Sequence, residues 1–382
     1  MKIQYTNGNF LYFDKFKNKF ILFKGNMLEE NGKIKKFTKK TYKSTKTVDL
    51  KNYLVTPIFV NAHLHLGETN FRPLPKKMTL LEYLAHTESL NATLGEKSQE
   101  NWRNSAEKTL SESLSAGTYV INTIRGQDVA GEYPIKAYSG FPIMKSKKLG
   151  GFIVDGLNKY KGFCNECQAS GITPLVFFHS FYSNDESSFE LAKECNNFSN
   201  TFFATHAAED KETEEKIKQM WGASTIDLLD KHNLLNKKAI LVHCNAVSES
   251  ELEKIKRRKA SIVLCPISTH NLKNEILDVE MLIKKNINFC IATDGLATGE
   301  SANLLAQTAY VLGKSHNYDK ILKSITLNPT KALGIKEYIL GKNSLSLFNI
   351  FECSDGDLDT ILKKLLNNEL RLVEIKSCNL EN

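Results

Sequence analysis

The spacing of apolar and polar positions changes character twice along the chain. Up to residue 50, short runs (Phe10–Phe13, Phe20–Lys24 and Lys33–Phe37) are separated by Asn-Gly and similar turn signals, a pattern of short strands. From residue 54, nearly continuous β-branched or aromatic runs alternate with longer stretches of helical period. Eight such runs occur: Leu54–Asn61, Thr118–Thr123, Ile135–Phe141, Ile172–Phe178, Thr201–Thr205, Ala239–Val242, Ser261–Cys265 and Asn288–Thr293. Continuous apolar character suits strands buried on both faces of a parallel sheet. Between them, Ser248 followed by Glu251 reads as a capping box opening a helix over Glu249–Arg258. Further helices are expected over Val279–Lys285, Asn303–Lys314, Asp319–Ser324 and Pro329–Leu333. Eight strand–helix units over about 280 residues have the size of an α/β (β/α)8 TIM-type barrel. After residue 335 short strands return, Ser344–Phe351 and Leu370–Ile375, around one helix, Leu358–Asn367. The expected division is a barrel over residues 54–335 and a small composite β-sandwich domain from residues 1–53 and 336–382.

Composition narrows the class. Of 382 residues, 41% are hydrophobic and 25% charged, which excludes a mainly disordered chain. The net charge of +8 comes from lysines spread along the chain, with short runs such as Lys33-Ile34-Lys35-Lys36 and Lys145-Ser146-Lys147-Lys148. No arginine-rich or aromatic-interleaved basic block is present, so a lysine-rich surface is expected and nucleic acid is not. No apolar run has the roughly 20 residues of a membrane span. Met1 to Phe23 carries no signal-peptide pattern. Cys244, Cys265 and Cys290 sit inside apolar runs, and Cys164-x-x-Cys167 has no second pair with which to complete a zinc site. These features point to a cytoplasmic chain without nucleic-acid or membrane partners, and leave a homo-oligomer open.

Chemistry concentrates where barrel strands end, the face on which such barrels carry their sites. The first run leads into His63-Leu64-His65, whose i, i+2 spacing on a strand points two imidazoles the same way. The fourth ends in His179, the fifth in Thr205-His206-Ala207-Ala208-Glu209, the sixth in His243 and the eighth in Thr293-Asp294-Gly295. Each residue singly has an ordinary structural explanation. Five of nine histidines at these ends, with an Asp and a Glu, instead mark a metal site of nitrogen and oxygen ligands.

These residues carry a resemblance. Val55-Thr56-Pro57-Ile58-Phe59-Val60-Asn61-Ala62-His63-Leu64-His65, Thr205-His206-Ala207-Ala208-Glu209, Leu241-Val242-His243-Cys244, Leu264-Cys265-Pro266-Ile267-Ser268, Ala292-Thr293-Asp294-Gly295 and Leu327-Asn328-Pro329-Thr330-Lys331-Ala332-Leu333-Gly334 follow one another in the order of the amidohydrolase superfamily. The chain resembles its cytosine deaminase and ATZ/TRZ chlorohydrolase-like group. By that resemblance, His63, His65, His206 and Asp294 hold one divalent metal ion, zinc or in some relatives iron. Glu209 is the proton shuttle, and His243 polarises or deprotonates the attacking water. His179 and Thr298 stand at substrate-contact positions. Arg125, after the second strand, is a candidate for an anionic substrate group. Binuclear members carry a carboxylated lysine on the fourth strand; Ile172–Ser183 contains none, which implies one metal. Departures fall at Pro57-Ile58, where the group has Pro-Gly, and at Leu296-Ala297-Thr298-Gly299-Glu300, which replaces an Ala-Ser-Asn type sequence.

The resemblance implies a small-molecule enzyme, a metal-dependent aminohydrolase that deaminates an amino-substituted N-heterocycle of nucleobase or nucleoside type. The alternative is hydrolysis of a ring amide, amidine or other C–N or C–X bond by the same chemistry. A barrel that only binds, without catalysis, is disfavoured by the intact set of polar strand ends.

Overall fold

The computed structural model describes residues 1–72, 74, 77–94, 97–145, 156–335, 338–354 and 356–376. The lysine run that begins at Lys145 lies outside the described residues beyond its first member. Five strands come first: β1 (Lys2–Asp14), β2 (Lys19–Glu30), β3 (Lys33–Thr38), β4 (Lys46–Asp49) and β5 (Tyr53–Pro57). The barrel strands follow as β6 (Phe59–Leu64), β7 (Thr118–Ile124), β8 (Lys136–Ile143), β9 (Thr173–Phe178), β10 (Phe203–Ala207), β11 (Ala239–His243), β12 (Ser261–Leu264) and β13 (Phe289–Ile291). Two strands close the chain, β14 (Phe348–Glu352) and β15 (Leu372–Lys376).

Strands β6 to β13 form one parallel sheet in sequence order with helices between them, a (β/α)8 barrel. The remaining strands make a mixed sheet ordered β15-β14-β5-β1-β2-β3, with β4 added to β1. Both ends of the chain thus meet in one β domain. A register shift in β1 between Tyr5 and Gly8 divides the strand: residues before it pair with β4, those after it with β5. Ile3, Tyr5, Phe10, Met27, Val55, Phe348 and Ile350 share its core.

The run Leu54–Asn61, expected as one strand, is two. Pro57 has no N–H to extend a ladder. The chain leaves the terminal sheet there and enters the barrel at Phe59. The join is buried. Asn349 of β14 donates from Nδ2 to the Gly117 carbonyl at 2.9 Å, beneath the barrel. Gly117 has φ +86° and a Cβ there would lie 2.7 Å from that amide, so glycine is required twice over. The capping box at Ser248 and Glu251 is present as expected. Among the described residues, no helix is long and apolar enough to cross a membrane.

Inside the barrel, period-two alternation sets which residues reach the mouth. Leu175 and Phe177, Ala204, and Cys290 and Ala292 pack in the interior cluster. Two residues on from these rows stand His179, His206 and Asp294, so the inward face of each strand ends in a polar group.

The sheet does not close by a regular ladder between β13 and β6. The seam is bridged by one backbone bond, Asp294 N–H to the His63 carbonyl at 3.2 Å, and by the Asn61 side chain. Asn61, with no exposed surface, donates from Nδ2 to Thr293 Oγ1 at 2.7 Å. Its Oδ1 accepts from the His63 and Thr293 amides at 3.3 and 3.4 Å. Asn61→Ala leaves these buried groups without partners and is expected to cost about 2–3 kcal/mol, measured by denaturant unfolding.

Candidate metal centre and active site

Four side chains converge at the mouth. His63 Nε2 lies 3.1 Å from His65 Nε2, 3.3 Å from His206 Nε2 and 3.3 Å from Asp294 Oδ1. His65 Nε2 lies 3.2 Å from Asp294 Oδ1, and all four atoms fall within 4.8 Å of one another. A tetrahedron with about 2.0 Å from centre to vertex has edges of about 3.3 Å, the size of a zinc site with N and O ligands. Three imidazole nitrogens and a carboxylate oxygen facing one another in a buried space are mutually repulsive lone pairs unless a cation lies between them. The residues present fit a divalent ion.

A second grouping, His243 with Cys265 and Asp294, shares the aspartate. Burial pushes the Cys265 thiol well up, and a thiol ligates only when deprotonated, so the three-histidine set is the better holder.

The strand ends bend to aim these groups. His243 (φ +74°), Cys244 (+57°), Asp294 (+62°), Ala208 (+44°) and Arg125 (+60°) all occupy the left-handed region, each at or just beyond a barrel strand. Such strain in non-glycine residues persists where surrounding structure holds it, commonly at functional sites. The sequence alone gave no sign of it.

Glu209 follows three residues after His206 and is buried. Its Oε1 lies 3.4 Å from His243 Nε2. Burial, then the Asp294, Asp210 and Glu68 carboxylates, push its pKa well above the ordinary glutamate value. That shift favours the protonated form, the form in which a carboxyl can give a proton. At Asp294 burial acts in the same upward sense, but the His63 hydrogen bond and the charges of His65 and His243 outweigh it and hold the carboxyl well down. Two carboxyl groups in one site are thus split into an acid and a base. Ser268 Oγ donates to Asp294 Oδ2 at 2.6 Å and leaves Oδ1 turned to the imidazoles.

The structure brings most of the expected residues together. His179 stands beside His206, ring centroids 4.9 Å apart, with Nδ1 2.9 Å from Ser183 Oγ. Arg125 is solvent-accessible yet near the Glu68 carboxylate, in the loop after β7. Thr298 lies behind Asp294: its hydroxyl is 2.9 Å from Ser268 Oγ and donates to the Gly295 carbonyl at 3.2 Å. Glu132, also beyond β7, pairs with Arg103 on the surface. Cys167 of the Cys-x-x-Cys pair is buried in helix Gly156–Ala169, which pushes its thiol up to about 12.

Glu68, in the tight turn Leu66–Phe71, also belongs here. Its Oε1 is 3.4 Å from His65 Nδ1, and its Oε2 accepts from Tyr83 at 2.7 Å. Sequence reasoning passed over both. The i, i+3 spacing of His65 and Glu68 was the available signal.

Burial depresses His179 to about 3 and His243 to about 4, from 6.5. As pH falls below 6.5 the unfolded chain binds protons at these sites that the folded chain refuses. The metal-free protein is expected to lose melting temperature progressively from about pH 6.5 to about pH 3, measured by calorimetry after chelation.

Fold and site together define a metal-binding hydrolase barrel, and the chain belongs to the amidohydrolase family, whose sequence profile matches residues 54–339. It is 23% identical to a 5-methylthioadenosine/S-adenosylhomocysteine deaminase of Pyrococcus furiosus, over 96% of this chain and 94% of that one. In structure it is similar to an adenosine deaminase of Xanthomonas campestris with bound zinc, with TM-score 0.85 and 17% identity over 98% of this chain and 91% of that one. An atrazine chlorohydrolase of Arthrobacter aurescens, complexed with zinc, has the same TM-score at 15% identity over 98% and 94%.

Proposed function

We propose that the chain catalyses hydrolytic deamination of an amino-substituted N-heterocycle of purine-nucleoside type, with one divalent ion, zinc before iron, held by His63, His65, His206 and Asp294. The observation that carries this is the place of Glu209: a buried carboxyl 3.4 Å from His243 at the edge of the ligand set, its pKa pushed up by burial and by neighbouring carboxylates. The relative from Pyrococcus furiosus, a deaminase by name, supports the same reading.

Such an ion supplies, when bound, a water whose pKa falls from about 16 towards 7. The protein's part is proton traffic. Asp294, held down in pKa, receives the proton the attacking water gives up. Glu209 donates its proton to the ring nitrogen next to the carbon under attack, takes up the proton held by Asp294 and passes it to the departing amine, and is restored by the proton of the adduct hydroxyl as the C=O forms, so that the amino-heterocycle and water become the oxo-heterocycle and ammonia. His243 stabilises the oxygen of the tetrahedral adduct by hydrogen bonding. His179 and Arg125 are the proposed substrate contacts, while Thr298 acts through Ser268 on Asp294. Residues 54–335 are the proposed catalytic unit, with residues 1–53 and 336–382 as its β domain, to whose sheet β5 also joins residues 54–57.

The test is ammonia release from nucleobases and nucleosides after zinc loading, with a chloro-triazine and a cyclic amide alongside. Adenosine-type nucleosides are expected to respond. Silence there, with turnover of the triazine or amide, overturns the deaminase reading and leaves a hydrolase of the second kind.

A further inference from the structure

We propose that Glu68, held by Tyr83, is the positioning residue of His65, fixing that imidazole so that Nε2 faces the metal pocket. The inference rests on the metal site proposed above.

His65 differs from the other two histidine ligands. His63 is within β6 and His206 within β10, and both rings lie against Phe177, with centroids 5.8 and 5.1 Å away. Their Nδ1 atoms have no hydrogen-bond partner among the described residues. On their Nδ1 edges packing, not a hydrogen bond, orients them. His65 follows the last residue of β6, has one-fifth of its side chain exposed, and stacks on the His206 ring at 5.4 Å without a phenylalanine wall of its own. What it has is a carboxylate at 3.4 Å on Nδ1.

A neutral imidazole carries one proton. It ligates through Nε2 only if that proton sits on Nδ1, and an acceptor at Nδ1 selects this tautomer. Glu68 meets that need with one oxygen and is itself gripped by the other, which accepts from Tyr83 at 2.7 Å. The Tyr83 ring is fixed in an apolar cluster with Met78, Leu80, Leu272 and Ala297. Room for the carboxylate comes from Gly295, where an added Cβ would stand 1.8 Å from Glu68 Oε2. The glycine that follows the ligand Asp294 thus makes space for the residue that orients the ligand His65.

Zinc affinity, measured by competition with a chromophoric chelator, tests this without reference to turnover. Glu68→Ala is expected to weaken zinc binding by about 10- to 100-fold, the usual cost of removing such a partner. Glu68→Gln, isosteric and able to accept but uncharged, should fall between, and it carries the test if the alanine variant does not fold. In a His65→Ala background, Glu68→Ala should add nothing, since the group it orients is gone. A merely structural role would weaken binding in both backgrounds. Wild-type affinity in Glu68→Ala, or an equal loss in both backgrounds, overturns the proposal. Unchanged affinity with a raised KM also overturns it and moves Glu68 to the substrate. A wild-type protein that takes up no zinc defeats the metal site itself, an outcome distinct from either.

Discussion

Glu209→Gln is expected to lower kcat by about 10²–10⁴-fold while the protein keeps its metal. Gln preserves shape and hydrogen bonding but has no proton to give, and Glu209 is not among the four converging ligands. Burial and the neighbouring carboxylates push the native carboxyl towards its neutral form, which the uncharged amide resembles. Folding and zinc content should therefore match wild type, and ammonia release should not. Steady-state kinetics with elemental analysis of the same sample checks both halves. Turnover near wild type removes Glu209 from proton transfer.

Asp294→Asn is expected to act on both halves at once. Asp294 Oδ1 contacts two imidazoles of the ligand set, and the charge on this carboxylate offsets that of a cation. The amide loses the charge, and its NH2 group, turned inward, opposes a cation. Zinc content should fall below one per chain, and kcat should drop by about 10³-fold or more even at saturating zinc, because the proton acceptor is gone too. The contrast with Glu209→Gln, which keeps its zinc, separates the ligand from the shuttle. Retained zinc with retained turnover would show that neither role belongs to Asp294.

Much of this candidate site is legible in the sequence. His63, His206, Asp294 and His179 sit one or two residues beyond apolar runs, and strand alternation carries an inward row directly into the mouth. Order along the chain also gave the eight parallel strands, because each βα unit is local. What escaped depends on backbone direction and on contacts between distant segments. Leu54–Asn61 reads as one apolar run, yet its halves belong to different sheets, a split that only the partners of each half reveal. Tyr83 lies 15 residues from Glu68, with loop and helix between, so nothing in spacing couples them. The left-handed bends at Ala208 and Cys244 occur in residue types that carry no sequence mark for such a conformation. Thr298 shows the limit of motif position: a short turn, Leu296–Gly299, carries its hydroxyl to Ser268 on the far side of Asp294 from the imidazoles.

The irregular seam between β13 and β6 has a mechanical meaning. His63 and His65 stand on one lip and Asp294 on the other. A cation shared by them is a rivet through the first and last staves of the barrel, placed where the hoop of backbone bonds is interrupted. Loading it should raise the unfolding temperature. It should slow amide exchange most along Phe59–Leu64 and Phe289–Ile291 and least on the opposite wall. The group that performs the chemistry would also be the fastener that closes the vessel.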